Sequence, residues 1–230
     1  MVEVFNALAQ MTPATEPSIY LTLRLRMVDS QLRARGIEDE RVLSAMSRVP
    51  RHEFTAGRYR DQAYEDYPLP IGEGQTISQP YIVALMLEAL ALTPSDRVLE
   101  VGTGSGYVTA LLAELAAEVV SLERYAVLAD EARDLLADLG YSDVKVIVGD
   151  GTYGFPPGAP YDAIIVSAAA PEVPRPLLAQ LAEGGRMIIP VGSYDSQQLR
   201  LIRMHHGQPH TQWRELCRFV PLVAGGAIGS

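Results

Sequence analysis

The seven residues Glu100-Val-Gly-Thr-Gly-Ser-Gly106 carry the sharpest chemical signal in the chain. Glycines at alternate positions permit a tight turn and let a ligand come close to the backbone. The spacing departs from the dinucleotide fingerprint G-x-G-x-x-G: counted from Gly102 the sixth position is Tyr107, and counted from Gly104 it is Thr109. No Gly-Lys-Ser/Thr follows, so the phosphate-loop pattern fails as well. Two acids stand at matching points downstream. Glu123 ends the apolar run EVVSLE, 17 residues after Gly106, where an acid accepts hydrogen bonds from a ribose. Asp150 ends VKVIVGD and precedes Gly151, where a base edge would lie. Ligands of open parallel sheets bind beyond the carboxyl ends of the strands, so Glu100, Glu123 and Asp150 fall on one rim. Each alone reads equally as a solvated carboxylate or a helix cap. Together they describe a nucleoside site with no call for a pyrophosphate.

A second candidate lies in GEGQTISQP, residues 72 to 80. Ser78 has no His or Cys near enough in sequence to make it an obvious nucleophile. It lies two residues before Pro80, at a helix start, so it fits either a capping hydroxyl or a neutral group that orients a ligand. His52, in VPRHEF, fits packing or hydrogen bonding to the following loop better than acid–base work. His205 and His206 are neighbours that a strand would point to opposite faces, which makes a poor metal cage. No metal site is expected, and Cys217 reads as an inert thiol.

These residues need elements to hold them. Leu21, Leu25, Val28 and Leu32 give residues 19 to 35 a helical stripe, ended by Gly36. Asp39 can cap a helix that buries Val42, Leu43 and Met46 and stops at Pro50. The next 28 residues, 51 to 78, show turns and aromatics but little periodicity, long enough to hint at a working surface. Pro80 opens a helix with Ile82, Leu85, Met86, Ala89 and Leu90 on one side. From Asp96 onward strands alternate with helices: RVLEVG, EVVSLE, VKVIVGD, YDAIIVSAA and RMIIPVG, with a short helix PRPLLAQLAEGG expected before the last. QQLRLIRMHH and ELCRFVPLV read as two further strands about a turn at Gly207 to Pro209. Val/Ile/Leu-rich strands between helices imply an α/β fold, a doubly wound, mostly parallel sheet covered on both faces. The domain expectation is an extension over 1–19, one domain over 20–223 that includes loop 50–78, and a flexible tail over 224–230.

Composition narrows the partners. The chain has 230 residues, 48% hydrophobic, enough for one substantial core. Its formal net charge of -9 makes nucleic acid a poor partner. One cysteine excludes an internal disulfide and suits a cytoplasmic location. No stretch approaches the length of a membrane span, and residues 1 to 18 lack the basic flank and apolar core of a signal peptide.

The acid two residues before the glycine turn resembles the first motif of class I S-adenosylmethionine-dependent methyltransferases. More specifically, the chain from about Met27 to Val223 resembles the protein-L-isoaspartate (D-aspartate) O-methyltransferase family. The likeness runs through MVDSQLRARGI at 27 to 37, VPRHEF at 49 to 54 and AYEDYPLPIGEGQTISQPYIVALM at 63 to 86. It continues through VLEVGTGSGYVTALLA at 98 to 113, GDGTYG at 149 to 154, AAAPEVP at 168 to 174, GGRMIIPVG at 184 to 192 and FVPL at 219 to 222.

The resemblance implies a Rossmann-like sheet of order 3-2-1-4-5-7-6, with some variation in how the final strands attach. It implies S-adenosyl-L-methionine as methyl donor, S-adenosyl-L-homocysteine as product, and methylation of the α-carboxylate of L-isoaspartyl and D-aspartyl residues in damaged proteins or peptides. Glu100, Gly102, Thr103, Gly104, Ser105 and Gly106 would carry the methionine part, Glu123 the ribose, and Asp150 with Gly151 the adenine. The family's active-site serine matches Ser78. Thr76 and Gln79 would support it, and Ala169, Ala170, Pro171, Val191 and Gly192 would wall the peptide. A monomer is expected, with no nucleic acid and no membrane.

Other readings share these motifs. One is a tailoring O-methyltransferase for an aspartyl carboxylate of a dedicated peptide. A nucleic-acid methyltransferase fits less well, since SAAAP stands where an Asn-Pro-Pro-Tyr type motif would follow the fourth strand. A non-catalytic binder fits poorly with retention of both the glycine turn and the Ser78 loop.

Overall fold

The computed structural model describes residues 18–193 and 195–225. The start of the expected extension and the end of the expected tail lie outside these residues. Helix α1, Ser18–Met27, continues through a π turn, Val28–Leu32, and a 3-10 turn, Arg33–Arg35, that ends at Gly36 with φ +90°. Helix α2, Glu40–Arg48, is capped by Asp39, whose side chain accepts from the N–H groups of Arg41 and Val42. This supplies acceptors for donors that the first turn cannot bond internally.

The long connection holds two 3-10 turns, Arg51–Phe54 and Gly57–Gln62, and then a small antiparallel pair, β1 (Leu69–Pro70) with β2 (Thr76–Ile77). Helix α3, Pro80–Leu90, follows immediately, with Pro80 in its first turn. The loop therefore ends against a helix N-terminus, and Ser78 sits at that junction.

The main sheet contains β3 (Arg97–Val101), β4 (Glu118–Glu123), β5 (Lys145–Val148), β6 (Tyr161–Val166), β7 (Leu181–Gly192), β8 (Gln197–His205) and β9 (Gln208–Cys217). Its order is β5-β4-β3-β6-β7-β8-β9. The first five strands in that order are parallel, while β8 and β9 pair antiparallel. Helices α4 (Tyr107–Leu115), α5 (Ala126–Asp138) and α6 (Arg175–Leu178) join the parallel strands. Strands β3 and β6 are buried on both faces, as Val98, Leu99, Val101, Ala163, Ile164 and Ile165 show. That double burial explains their continuous apolar sequences.

Three expectations are corrected. The sheet order, counted over its own strands, is 3-2-1-4-5-6-7 rather than 3-2-1-4-5-7-6. A tight turn with His206 at φ +51° and Gly207 at φ +67° lays β9 directly beside β8, and β8 itself returns beside β7. Short connections of this kind keep consecutive antiparallel strands adjacent. The helix expected over PRPLLAQLAEGG shrinks to Arg175–Leu178, because β6 captures the chain just beyond it: the Tyr161 N–H donates to the Gln180 carbonyl. Both glycines then lie in an irregularity of β7. Finally, β9 ends at Cys217, and FVPLV leaves the sheet and crosses the strand ends.

Among the described residues, no helix is long and apolar enough to cross a membrane.

Candidate active site

Strand β3 delivers the chain into the glycine turn. The N–H groups of Gly102 and Thr103 both donate to the Leu122 carbonyl of β4, which ties the turn to the neighbouring strand. Gly104 has φ +54°, and a Cβ there would stand 3.4 Å from Ile71 of the β1–β2 loop. Glycine thus serves both the left-handed turn and the close approach of that loop. Gly151 makes a second close approach, since a Cβ would meet Val101 at 2.3 Å.

Glu100 is fully buried behind the turn. Its Oε2 accepts from Thr109 Oγ1 and Ser121 Oγ, each at 2.6 Å, and Ser121 also bonds Thr103 at 2.5 Å. Burial pushes the Glu100 carboxyl up to about 8, against the two hydroxyl hydrogen bonds and with the help of nearby Glu123. The group is therefore largely protonated at neutral pH and braces the turn from behind. It does not line the cleft.

Glu123 does line it. Its Oε2 accepts from the Gly104 N–H at 2.9 Å, and its Oε1 from the N–H groups of Arg124 and Tyr125 at 2.7 and 3.0 Å. A carboxylate offers about four acceptor directions, so these three bonds leave capacity for a hydroxyl from the cleft. Asp150 caps a 3-10 turn through Thr152, and its other oxygen accepts from the Gly225 N–H at 2.6 Å. Burial works against its ionisation, but the Thr152 and Gly225 bonds and the Arg124 charge hold its carboxyl below the ordinary value.

Across the cleft stands Ser78, half-buried, on the wall with Thr76. The N-cap of α3 is Gln79, with no side-chain cap bond. The first-turn N–H of Tyr81 is instead satisfied by Asp66 Oδ1 at 3.0 Å. Capping therefore falls to Asp66, and the Ser78 hydroxyl makes no hydrogen bond to another described residue. Gln79 is tied to Asp66 Oδ2 at 2.8 Å.

The cleft opens to solvent on one side. It brings together Thr76, Ser78, the turn from Gly102 to Ser105, Glu123 and Gly151. Glu100, Gly106, Gln79 and Asp150 support this surface without lining it. Ala169, Ala170, Pro171, Val191 and Gly192 also stand outside the lining. The backbone of Ala169 bonds Val220 and Leu222, and that of Ala170 bonds Pro190 and Gly192, so those groups are occupied within the protein.

Sequence reasoning missed one whole wall. Residues Val220 to Val223 form a strap across the strand ends, held by Ala169 and by Arg124 Nη1, which donates to the Val223 carbonyl at 2.7 Å. The FVPL stretch was visible, but its apolar run reads as a strand until the sheet is assembled. Tyr107 also borders the cleft, with Ser167 at the end of β6. His52 is buried, bonded through Nδ1 to the Tyr64 hydroxyl at 2.7 Å, with Nε2 3.2 Å from Glu53 Oε1. Burial, with the charges of Arg24 and Arg60, pushes its imidazole down to about 4, so it stays neutral at neutral pH. Among the described residues no group of three or more His, Cys, Asp or Glu is placed to hold a metal.

Comparison with known proteins matches this architecture to one family. The sequence model of the Protein-L-isoaspartate(D-aspartate) O-methyltransferase (PCMT) family matches residues 24–227. A protein-L-isoaspartate O-methyltransferase of Methanoculleus marisnigri is 57% identical over 200 residues, covering 87% of this chain and 91% of its own. A solved protein-L-isoaspartate O-methyltransferase superposes with a TM-score of 0.79 at 33% identity, over 90% of this chain and 67% of that one. A Plasmodium falciparum chain solved in complex with S-adenosyl-L-homocysteine gives a TM-score of 0.77 at 28% identity, over 87% of this chain and 98% of its own. With a family match that spans most of the chain and solved relatives that share its fold, the protein belongs to the protein-L-isoaspartate (D-aspartate) O-methyltransferase family.

Proposed function

We propose that the protein is a repair methyltransferase that esterifies the α-carboxylate of L-isoaspartyl and D-aspartyl residues in damaged proteins or peptides, using S-adenosyl-L-methionine. The observation that carries this reading is the Ser78 hydroxyl on the cleft wall with the glycine turn, unbonded among the described residues. Family membership and the relatives' names support it.

The residues present fit the donor. The glycine turn lets a ligand approach backbone, and Glu123 keeps an acceptor direction for a ribose hydroxyl. Its charge also favours a cationic ligand. When bound, S-adenosylmethionine supplies a methyl on a positively charged sulfur, which departs as a neutral thioether once a carboxylate oxygen bonds to that methyl. Thr103, Gly104 and Ser105 hold the methionine end, Glu123 the ribose, and Gly151 the base region, with Asp150 fixing the turn that presents it. The strap from Val220 to Val223 excludes water from one side.

No general base is required on the acceptor side. A carboxylate with an ordinary acid constant near 4 is ionised at neutral pH. What remains for the protein is alignment, and a neutral hydroxyl orients one carboxylate oxygen without removing its nucleophilicity. Thr76 and Gln79 support Ser78, the latter through Asp66. Ala169, Ala170, Pro171, Val191 and Gly192 belong to the outer frame of the peptide site, with their small side chains leaving room for it. We place the enzyme in the cytoplasm, acting as a monomer on damaged proteins without nucleic acid or membrane.

The test is methyl transfer to paired synthetic peptides that carry isoaspartate or normal aspartate at one position. A base-labile methyl ester on the isoaspartyl peptide alone is the expected outcome. S-adenosyl-L-homocysteine binding without transfer to either peptide would sink the reading. Ser78→Ala should lower kcat by about tenfold to a hundredfold through lost alignment, with product affinity little changed. The reverse pattern would assign Ser78 to the cofactor side.

A further inference from the structure

Directly behind Ser78 lies a buried charge. Arg51 is fully buried. Its Nε donates to the Ala63 carbonyl at 2.7 Å and its Nη2 to the Ser78 carbonyl at 2.8 Å. Its guanidinium carbon sits 4.9 Å from the ring centroid of Tyr107, which lines the cleft. Arg51 Nη1 and the Tyr107 hydroxyl are both buried, and among the described residues neither has a hydrogen-bond partner beyond the other.

The cluster is more than a brace. Two carbonyl acceptors could be satisfied by a neutral donor, with no cost of burying a charge. An arginine keeps its charge when buried, and a desolvated cation is costly unless an anion offsets it. Among the described residues no carboxylate forms an ion pair with Arg51. Asp66 acts on it through space, but Asp66 is already engaged by Arg35, Gln79 and the Tyr81 N–H. Among the described residues, the cation that grips the Ser78 carbonyl is thus left without a paired carboxylate.

We infer that Arg51 is a positioning residue for the acceptor: it fixes the backbone of Ser78, and its positive charge selects an anionic acceptor group over a neutral one. The inference rests on the assignment of Ser78 to the acceptor carboxylate. Nη2 sets where the serine hydroxyl points. Nη1 and the Tyr107 hydroxyl, paired with nothing but each other, place this charge behind a cleft-lining ring, and the acceptor carboxylate supplies the counter-charge that the described residues lack.

The experiment compares an isoaspartyl peptide with the same peptide bearing an α-carboxamide in place of the α-carboxylate. Binding of both is measured by calorimetry on enzyme saturated with S-adenosyl-L-homocysteine, and kcat is measured separately. Wild type should prefer the carboxylate by about tenfold or more, the worth of one charge-assisted contact. Arg51→Met should erase that preference while S-adenosyl-L-homocysteine affinity stays within about threefold, a change under 1 kcal/mol. Arg51→Lys keeps the charge but loses the fork that bridges two carbonyls. It should retain the preference with kcat lowered by about tenfold, a loss of 1.4 kcal/mol in alignment.

Full preference surviving in Arg51→Met overturns the inference alone. If that variant does not fold, Arg51→Lys decides. Retained preference with lowered kcat supports the role, and lost preference or an unchanged kcat overturns it. A wild-type protein that binds neither peptide removes the proposed function, and this inference with it.

Discussion

Glu100 illustrates how a motif residue can matter without touching a ligand. Its buried carboxyl titrates near 8, against an ordinary value of 4.5. The folded protein therefore keeps a proton that the unfolded chain gives up between those values. Stability is greatest below the unfolded value and falls as pH rises toward 8, by at most about 1.4 kcal/mol per pH unit. Glu100→Gln removes that slope, so urea unfolding at pH 5.5, 6.5 and 7.5 should show the variant gaining on wild type as pH rises. Parallel stabilities would rule the argument out. Gly104 offers a second test. Alanine there must adopt φ +54° and place its Cβ 3.4 Å from Ile71. Gly104→Ala should cost about 1 kcal/mol of stability and weaken S-adenosyl-L-homocysteine binding, read by thermal melts with and without ligand.

The strap after β9 behaves as an element although it has no regular secondary structure. Its Val220 and Leu222 backbone groups pair with Ala169, Arg124 holds Val223, and Gly225 reaches Asp150. These anchors place it over the carboxyl ends of β3, β4 and β6, where it walls the cleft. It buries little of the core, so its removal should separate binding from folding. A chain ending at Phe219 should bind S-adenosyl-L-homocysteine about tenfold more weakly or worse, through lost apolar cover, with only a small change in melting temperature. Unaltered affinity would show that the strap is mere packing. The loop over 51–78 is likewise organised from both ends: Asp66 caps α3 and Arg51 grips the Ser78 carbonyl.

For the molecule taken together, the site joins the glycine turn, the Ser78 loop and the C-terminal strap around one cleft. Ligand binding to the folded chain alone should therefore stabilise all of it. At 100 times its dissociation constant, S-adenosyl-L-homocysteine should raise the melting temperature by roughly 5–10 °C. A shift of that size with S-adenosyl-L-homocysteine, and none with adenosine diphosphate, would match a rim lacking a pyrophosphate cradle. Equal shifts would contradict it.

The sequence by itself determined the local grammar. Strand and helix periods, the Asp39 cap, Pro80 at a helix start and the Gly36 stop at φ +90° all depend on neighbours along the chain. The glycine turn with Glu123 was legible for the same reason, since strand, turn and helix are contiguous there. Only the tertiary structure decided the rest. The apolar run at 219–223 had no sequence mark separating strand from strap. The order of the last two strands turned on a tight hairpin at His206 and Gly207. Ser78 could be told from a cap only when Asp66, remote in the loop, was seen to occupy the capping position. Arg51 gave no signal beyond a basic residue in VPRHEF, because its meaning lies in burial without a counter-charge. Burial is a property of everything folded around a residue, so no stretch of sequence states it.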